Sequence, residues 1–222
     1  MATRRSERPS VLDRRGGAEE RVAAVRAEAQ GVLDLADLAY RAAGCTACPE
    51  LVSGRTRVVV RSGPPVAEVL LIGEAPGAEE DRTGTPFVGR AGQLLDALLA
   101  AAGLARSSVA VANVVQCRPP GNRPPKPAEV ARCAGWLDRH LELVDPLVVV
   151  TLGRTATAWA LGPRFRLADV RGREYPFRGR LLLATYHPSA ALRFGPNGAP
   201  RAALAADLST AATVARRLRA AG

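Results

Sequence analysis

The chain has 222 residues, 47% of them apolar, which is one domain of ordinary size with enough apolar side chain for a core. Its formal net charge of +10 and pI near 10.8 come almost wholly from arginine, Lys126 being the only lysine, and point to a polyanionic partner. No stretch is long and apolar enough to span a bilayer, and the arginines of MATRRSERPSVLDRR precede no apolar run and so are no export signal by themselves; a soluble cytoplasmic protein is expected.

Residues 1–16 are polar and Arg-rich, with Pro9 and a following Gly16-Gly17 pair, and read as a mobile basic tail able to touch phosphates. Residues 17–222 read as a single domain. Over 18–43, Val22, Val25, Ala29, Val32, Leu33, Leu35 and Leu38 recur near a helical period, which predicts one helix ended by Gly44. Residues 56–60 alternate as a short edge strand, and Ser62-Gly63-Pro64-Pro65 turns into an apolar run at 69–72. Similar runs follow at 109–115, 147–152 and 181–185. Helical patterns at 91–102, 127–144, 154–161 and 199–221 lie between or after them. Strands that are apolar on both faces and alternate with helices predict a parallel sheet inside a three-layer α/β/α sandwich.

The segment 73–96, GEAPGAEEDRTGTPFVGRAGQLLD, joins the first of these strands to the helix at 91–102. In an open α/β sheet ligands bind beyond the carboxyl ends of the strands. Four glycines, Gly73, Gly77, Gly84 and Gly89, are more conformational freedom than a loop needs merely to cover distance, so this segment is the predicted site.

Cys45, Cys48, Cys117 and Cys133 are all the cysteines, arranged as C-x2-C, 68 residues, then C-x15-C. In a cytosolic chain this pattern argues for metal before disulfides, and four thiolates suit either zinc or an iron-sulfur cluster.

Three ordered motifs, GEAPG with its continuation to Gly89, NVVQCRPPGNR at 113–123 and YHPSAALR at 186–193, together with the four cysteines, closely resemble the family 4 uracil-DNA glycosylases. The resemblance implies a central four-stranded, mostly parallel sheet, a [4Fe-4S] cluster on Cys45, Cys48, Cys117 and Cys133, and hydrolysis of the bond between uracil and deoxyribose in base-excision repair. An enzyme of that kind extrudes the base, then holds it by its edges and its π-face. Phe87 matches the stacking aromatic. Asn113 carries one donor and one acceptor, the complement of uracil O4 and N3–H. His187 matches the donor to uracil O2, helped by the backbone N–H groups of the Glu74-Ala75 turn. Glu74 matches the catalytic carboxylate, placing water or supporting the sugar cation. Glu80 and Asn122 resemble pocket-lining residues, with fixing the loop as the competing role of each. The loop with Ser189, Leu192 and Arg193 resembles one that enters the minor groove, Leu192 as wedge and Arg193 on phosphate, while Arg118 and Arg123 are expected to flank the DNA channel. His140, in a predicted helix, reads as a surface or packing residue.

The implied partner is uracil-containing single- or double-stranded DNA, with the abasic product handed to later repair proteins by a monomeric enzyme. Two other functions share these features: a uracil-DNA binding protein with little turnover, and a glycosylase-like domain associated with a polymerase. Relatives of the binding kind carry GEQPG and a histidine-bearing insert. This chain has Ala75 at the glutamine position and no histidine between Cys117 and Cys133, and it keeps His187 and Asn113, all of which favour turnover. Family 1 enzymes carry an aspartate at the position of Ala75, so the attacking water is managed differently here.

Overall fold

The computed structural model describes residues 17–221; the basic tail expected at 1–16 lies outside them. Helices α1 (Ala18–Gln30), α2 (Leu35–Ala43) and α3 (Pro49–Val52) come first. Strand β1 (Val69–Gly73) then leads through α4 (Ala78–Thr83) and α5 (Arg90–Ala101) to β2 (Ala110–Asn113). After α6 (Pro127–Val144), β3 (Val148–Leu152), α7 (Arg154–Leu161) and α8 (Leu167–Val170) come β4 (Glu174–Phe177), β5 (Arg180–Thr185), α9 (Pro188–Arg193) and α10 (Ala199–Ala221).

The five strands form one sheet in the order β2-β1-β3-β5-β4. β1, β2, β3 and β5 are parallel, as expected, and every residue of the first three is buried. Alternation along β1 assigns the two cores. Leu70 and Ile72 pack with α1, α2 and α6, whereas Val69 and Leu71 pack with α5 and α10. Each such side chain withdrawn from water contributes roughly 1.5–3 kcal/mol, so two layers of helices are needed to cover a sheet that is apolar on both sides.

Three expectations are corrected. The helix predicted over 18–43 is two helices, because Gly31 caps α1 and the Asp34 carboxylate caps α2, accepting from the N–H groups of Ala36 and Asp37 at 2.8 Å each. No strand forms at 56–60, where Val58 makes only an isolated bridge to Cys117. The N–H groups of Thr56 and Arg57 are directed instead to the buried carboxylate of Asp81, at 2.9 and 3.2 Å. The sheet also gains a fifth strand. β4 pairs antiparallel with β5 through a two-residue turn in which Arg178 and Gly179 both have positive φ, 50° and 78°. Its half-exposed residues and Pro176 give little strand signal, and proline is tolerated there because β4 is an edge.

Register brings the site together. Gly73 lies opposite Asn113 at the ends of β1 and β2, and Leu152 opposite Thr185 at the ends of β3 and β5, so the carboxyl ends of all four parallel strands share one rim.

Candidate active site

A cavity of about 440 Å³ opens on that rim. Glu74, Ala75 and Gly77 reach it from β1, Asn113 from β2 and His187 from β5, while Phe87 and Glu80 come from the long connection. Asn122, Arg123, Ser189 and Arg193 complete its wall. Of the residues singled out in the sequence, Arg118, Leu192 and the cysteines lie outside it.

Phe87 is buried with φ +58°, a left-handed backbone uncommon for a side-chain-bearing residue. Two glycines make room for it. A Cβ on Gly92 would collide with the Phe87 carbonyl, and one on Gly73 would stand 2.5 Å from the Phe87 ring. The ring centroid lies 5.6 Å from that of His187, tilted by 38°. Glu80 accepts from the N–H groups of Val88 and Gly89 at 2.9 and 2.8 Å through one carboxylate oxygen, and from Gly77 at 3.0 Å through the other. It therefore ties down the loop that presents Phe87 while also facing the cavity.

Asn113 is 1% exposed, and its carboxamide oxygen has no hydrogen-bond partner among the described residues. An unpaired buried acceptor is costly, so an amide placed this way at a cavity wall is poised for a ligand's donor. His187 is half-buried and caps α9. Its Nδ1 accepts from the backbone N–H of Ser189 at 3.1 Å and lies 2.8 Å from the Ser189 hydroxyl. That leaves the proton of the neutral ring on Nε2. Burial lowers the pKa of His187, against an opposing pull from the charges of Glu74 and Glu80, which favours this neutral donor form.

Glu74 accepts a hydrogen bond from the Thr155 hydroxyl. Asn122, with φ +55°, accepts from Arg118 Nε at 2.8 Å. Arg123 donates from both terminal guanidinium nitrogens to the fully buried carboxylate of Glu129, at 2.9 and 2.6 Å, so it braces the wall on α6. Ser189 and Arg193 are exposed at the rim, Leu192 is 37% exposed beside them and Phe194 65%. Thr155 and Gly92 were not foreseen. The signal for Thr155 was available, since it follows a strand at the same carboxyl edge as Glu74 and Asn113.

The cysteines come from α2's end, α3's start, the segment after β2 and α6, and all four are buried free thiols. Cys45, Cys48 and Cys117 lie near enough to oppose the ionisation of Cys133, which burial already disfavours. Burial likewise pushes the Cys48 thiol up to about 12 and the Cys117 thiol up to about 11. Arg55 donates to Cys117 Sγ at 2.9 Å and the Gln116 N–H reaches Cys133 Sγ at 3.4 Å, while the positive charge of Arg132 opposes the rise at Cys48. Among the described residues no three His, Cys, Asp or Glu side chains are grouped closely enough to hold one metal ion. A cluster of several irons holds its thiolates farther apart than a single ion does. Four buried thiols, with Arg55 donating to one and the charge of Arg132 beside another, are a donor set of the kind such a cluster takes.

A family model described as the uracil DNA glycosylase superfamily matches residues 60–209. The chain is similar to the type-4 uracil-DNA glycosylase of Thermotoga maritima, 46% identical over 151 residues, or 67% of this chain and 78% of the other. It is also similar to the type-4 uracil-DNA glycosylase of Archaeoglobus fulgidus, 41% identical over 170 residues covering 71% and 83% of the two chains. The type-5 uracil-DNA glycosylase of Thermus thermophilus is 37% identical over 185 residues, covering 65% and 82%. The matched region runs from before β1 into α10 and so carries all four strand ends that build the cavity; on that likeness the chain belongs to the uracil-DNA glycosylase superfamily, with the type-4 enzymes.

Proposed function

We infer that this protein excises uracil from DNA by hydrolysing the N-glycosidic bond, within a single domain spanning residues 17–222. The observation that carries the reading is the meeting of an unpaired buried amide, an aromatic ring and a neutral histidine donor around one cavity beside a carboxylate.

In this reading the extruded base lies against Phe87, and the Asn113 amide pairs with O4 and N3–H. As the bond from N1 to C1′ breaks, negative charge gathers on uracil O2, where His187 Nε2–H and the Ala75 backbone N–H donate. Glu74 orients water, whose oxygen bonds to C1′ while its proton goes to the departing uracil, or stabilises the positive sugar. Glu80 and Asn122 hold the pocket's shape. Leu192 fills the gap left in the duplex, and Ser189, Arg193 and Arg118 meet phosphate, with Arg123 steadying the channel wall. The product is an abasic site for later repair proteins.

The four cysteines are proposed to hold a [4Fe-4S] cluster that ties α2, α3, the segment after β2 and α6 together. Protein purified without oxygen should contain iron and sulfide in about equal amounts, and stoichiometric zinc with no visible absorption would oppose this assignment. For the activity, the experiment is incubation with single- and double-stranded oligonucleotides containing one uracil, followed by alkaline cleavage. Strand breaks at uracil only are expected; tight binding without breaks would indicate a binding protein instead.

A further inference from the structure

Thr155 stands at the second position of α7, and its hydroxyl donates to Glu74 Oε2 across 81 residues of sequence. Among the described residues this is the one hydrogen bond made by the Glu74 carboxylate, and Oε1 has none. Thr155 does not line the cavity, so it reaches a substrate only through Glu74.

The backbone, and not the carboxylate, sets the position of this hydroxyl. Gly153 N–H donates to the Thr185 carbonyl at 2.8 Å, and the Gly153 carbonyl accepts from the Thr157 hydroxyl at 2.9 Å. The Thr157 hydroxyl in turn lies 3.1 Å from that of Thr151 in β3. Gly153 has φ +88°, and a Cβ there would approach the His187 Cβ to 3.0 Å. The turn that carries Thr155 is thus bonded to the last residue of β5, two residues before His187, and pressed against His187 itself. A β-branched side chain on such a turn has few rotamers of its own.

We propose that Thr155 is a positioning residue for Glu74. It engages Oε2, fixes the glutamate rotamer and leaves Oε1 as the free acceptor facing the reacting centre. The inference rests on the reading of Glu74 as the carboxylate that handles water in uracil excision. A threonine serving only to begin α7 would act independently of Glu74, and serine would not restore its effect.

The test is single-turnover excision from a uracil oligonucleotide, comparing wild type, Thr155→Val, Thr155→Ser, Glu74→Gln and Thr155→Val combined with Glu74→Gln. Thr155→Val is expected to lower the plateau rate about 10- to 100-fold and leave the half-saturating enzyme concentration unchanged. Thr155→Ser, which keeps the donor, should stay within about threefold of wild type. Adding Thr155→Val to Glu74→Gln should cost little further. The inference is overturned if Thr155→Val matches wild type, if the valine and serine variants are equally slow, or if the two substitutions multiply. Thr155→Ala replaces Thr155→Val should the latter unfold at lower temperature. A wild-type protein that leaves uracil-DNA intact overturns the functional reading and this inference together.

Discussion

The ring of Phe87 occupies the space that a side chain on Gly73 would fill: its Cζ lies 2.5 Å from where a Cβ would stand. The amide oxygen of Asn113 crowds the same point. Gly73 ends β1 in register with Asn113, so the strand that leads into Glu74 one residue later also makes room for Phe87 and the Asn113 amide, the two groups proposed to hold the base. Gly73→Ala is therefore expected to displace the ring or the amide. The overpacking cost is about 1–3 kcal/mol, and excision should fall further than stability does. Measuring single-turnover cleavage beside the unfolding midpoint checks this; unchanged cleavage would mean that the loop yields freely.

His187 should be neutral where the enzyme works. Its pKa is lowered by burial, while Glu74 and Glu80 pull the other way. An NMR titration of the imidazole should give a midpoint below 6.5, and Glu74→Gln, which removes a negative charge, should move it lower still. His187→Ala should reduce single-turnover cleavage by roughly a hundredfold with DNA binding nearly intact. Equal loss of both would instead make His187 a loop-fixing residue.

Base choice tests Asn113. Cytosine presents a donor at N4 and an acceptor at N3, the reverse of uracil, and would leave buried polar atoms unpaired against the amide. In Asn113→Asp the carboxyl accepts from N4 and, when protonated, donates to N3; burial at this 1% exposed position favours the protonated form. Slower uracil excision is expected, with slow cytosine excision that quickens as pH falls. Full retention of uracil selectivity would assign the amide a structural role.

The other histidine contributes to acid sensitivity. His140 is fully buried in α6, neither ring nitrogen has a partner among the described residues, and burial, aided by the positive charge of Arg61, lowers its pKa to about 3. An unfolded chain takes up this proton near 6.5, so between 6.5 and about 3 the unfolded state binds more protons than the folded one. Stability is therefore whole above 6.5 and declines as pH falls, by about 1.4 kcal/mol per pH unit from this group alone. Urea unfolding of wild type and His140→Phe at about pH 7 and about pH 5 should show a smaller loss in the variant. Equal losses would place the acid sensitivity elsewhere.

What the sequence determined by itself was whatever its local pattern encodes. Continuous apolar runs identified the four buried parallel strands, because burial on both faces of a sheet demands them, and a period of 3.6 placed α6, α7 and α10 within their observed ends, whereas the one period-two reading, at 56–60, formed no strand. Gly31 and Asp34 were local signals too, outweighed by a hydrophobic period that runs across them. The site-forming side chains Glu74, Phe87, Asn113 and His187 were legible as motif residues at strand ends or in the long connection. Tertiary structure alone decided which groups meet. The order β2-β1-β3-β5-β4 puts Thr155 on Glu74 and presses Gly153 against His187, and no spacing along the chain encodes either contact. It likewise spends the Arg123 charge on Glu129, a pairing that depends on the path taken by 123–129 into α6 and not on residue type. Composition records how many arginines there are; only packing settles which of them remain free for phosphate.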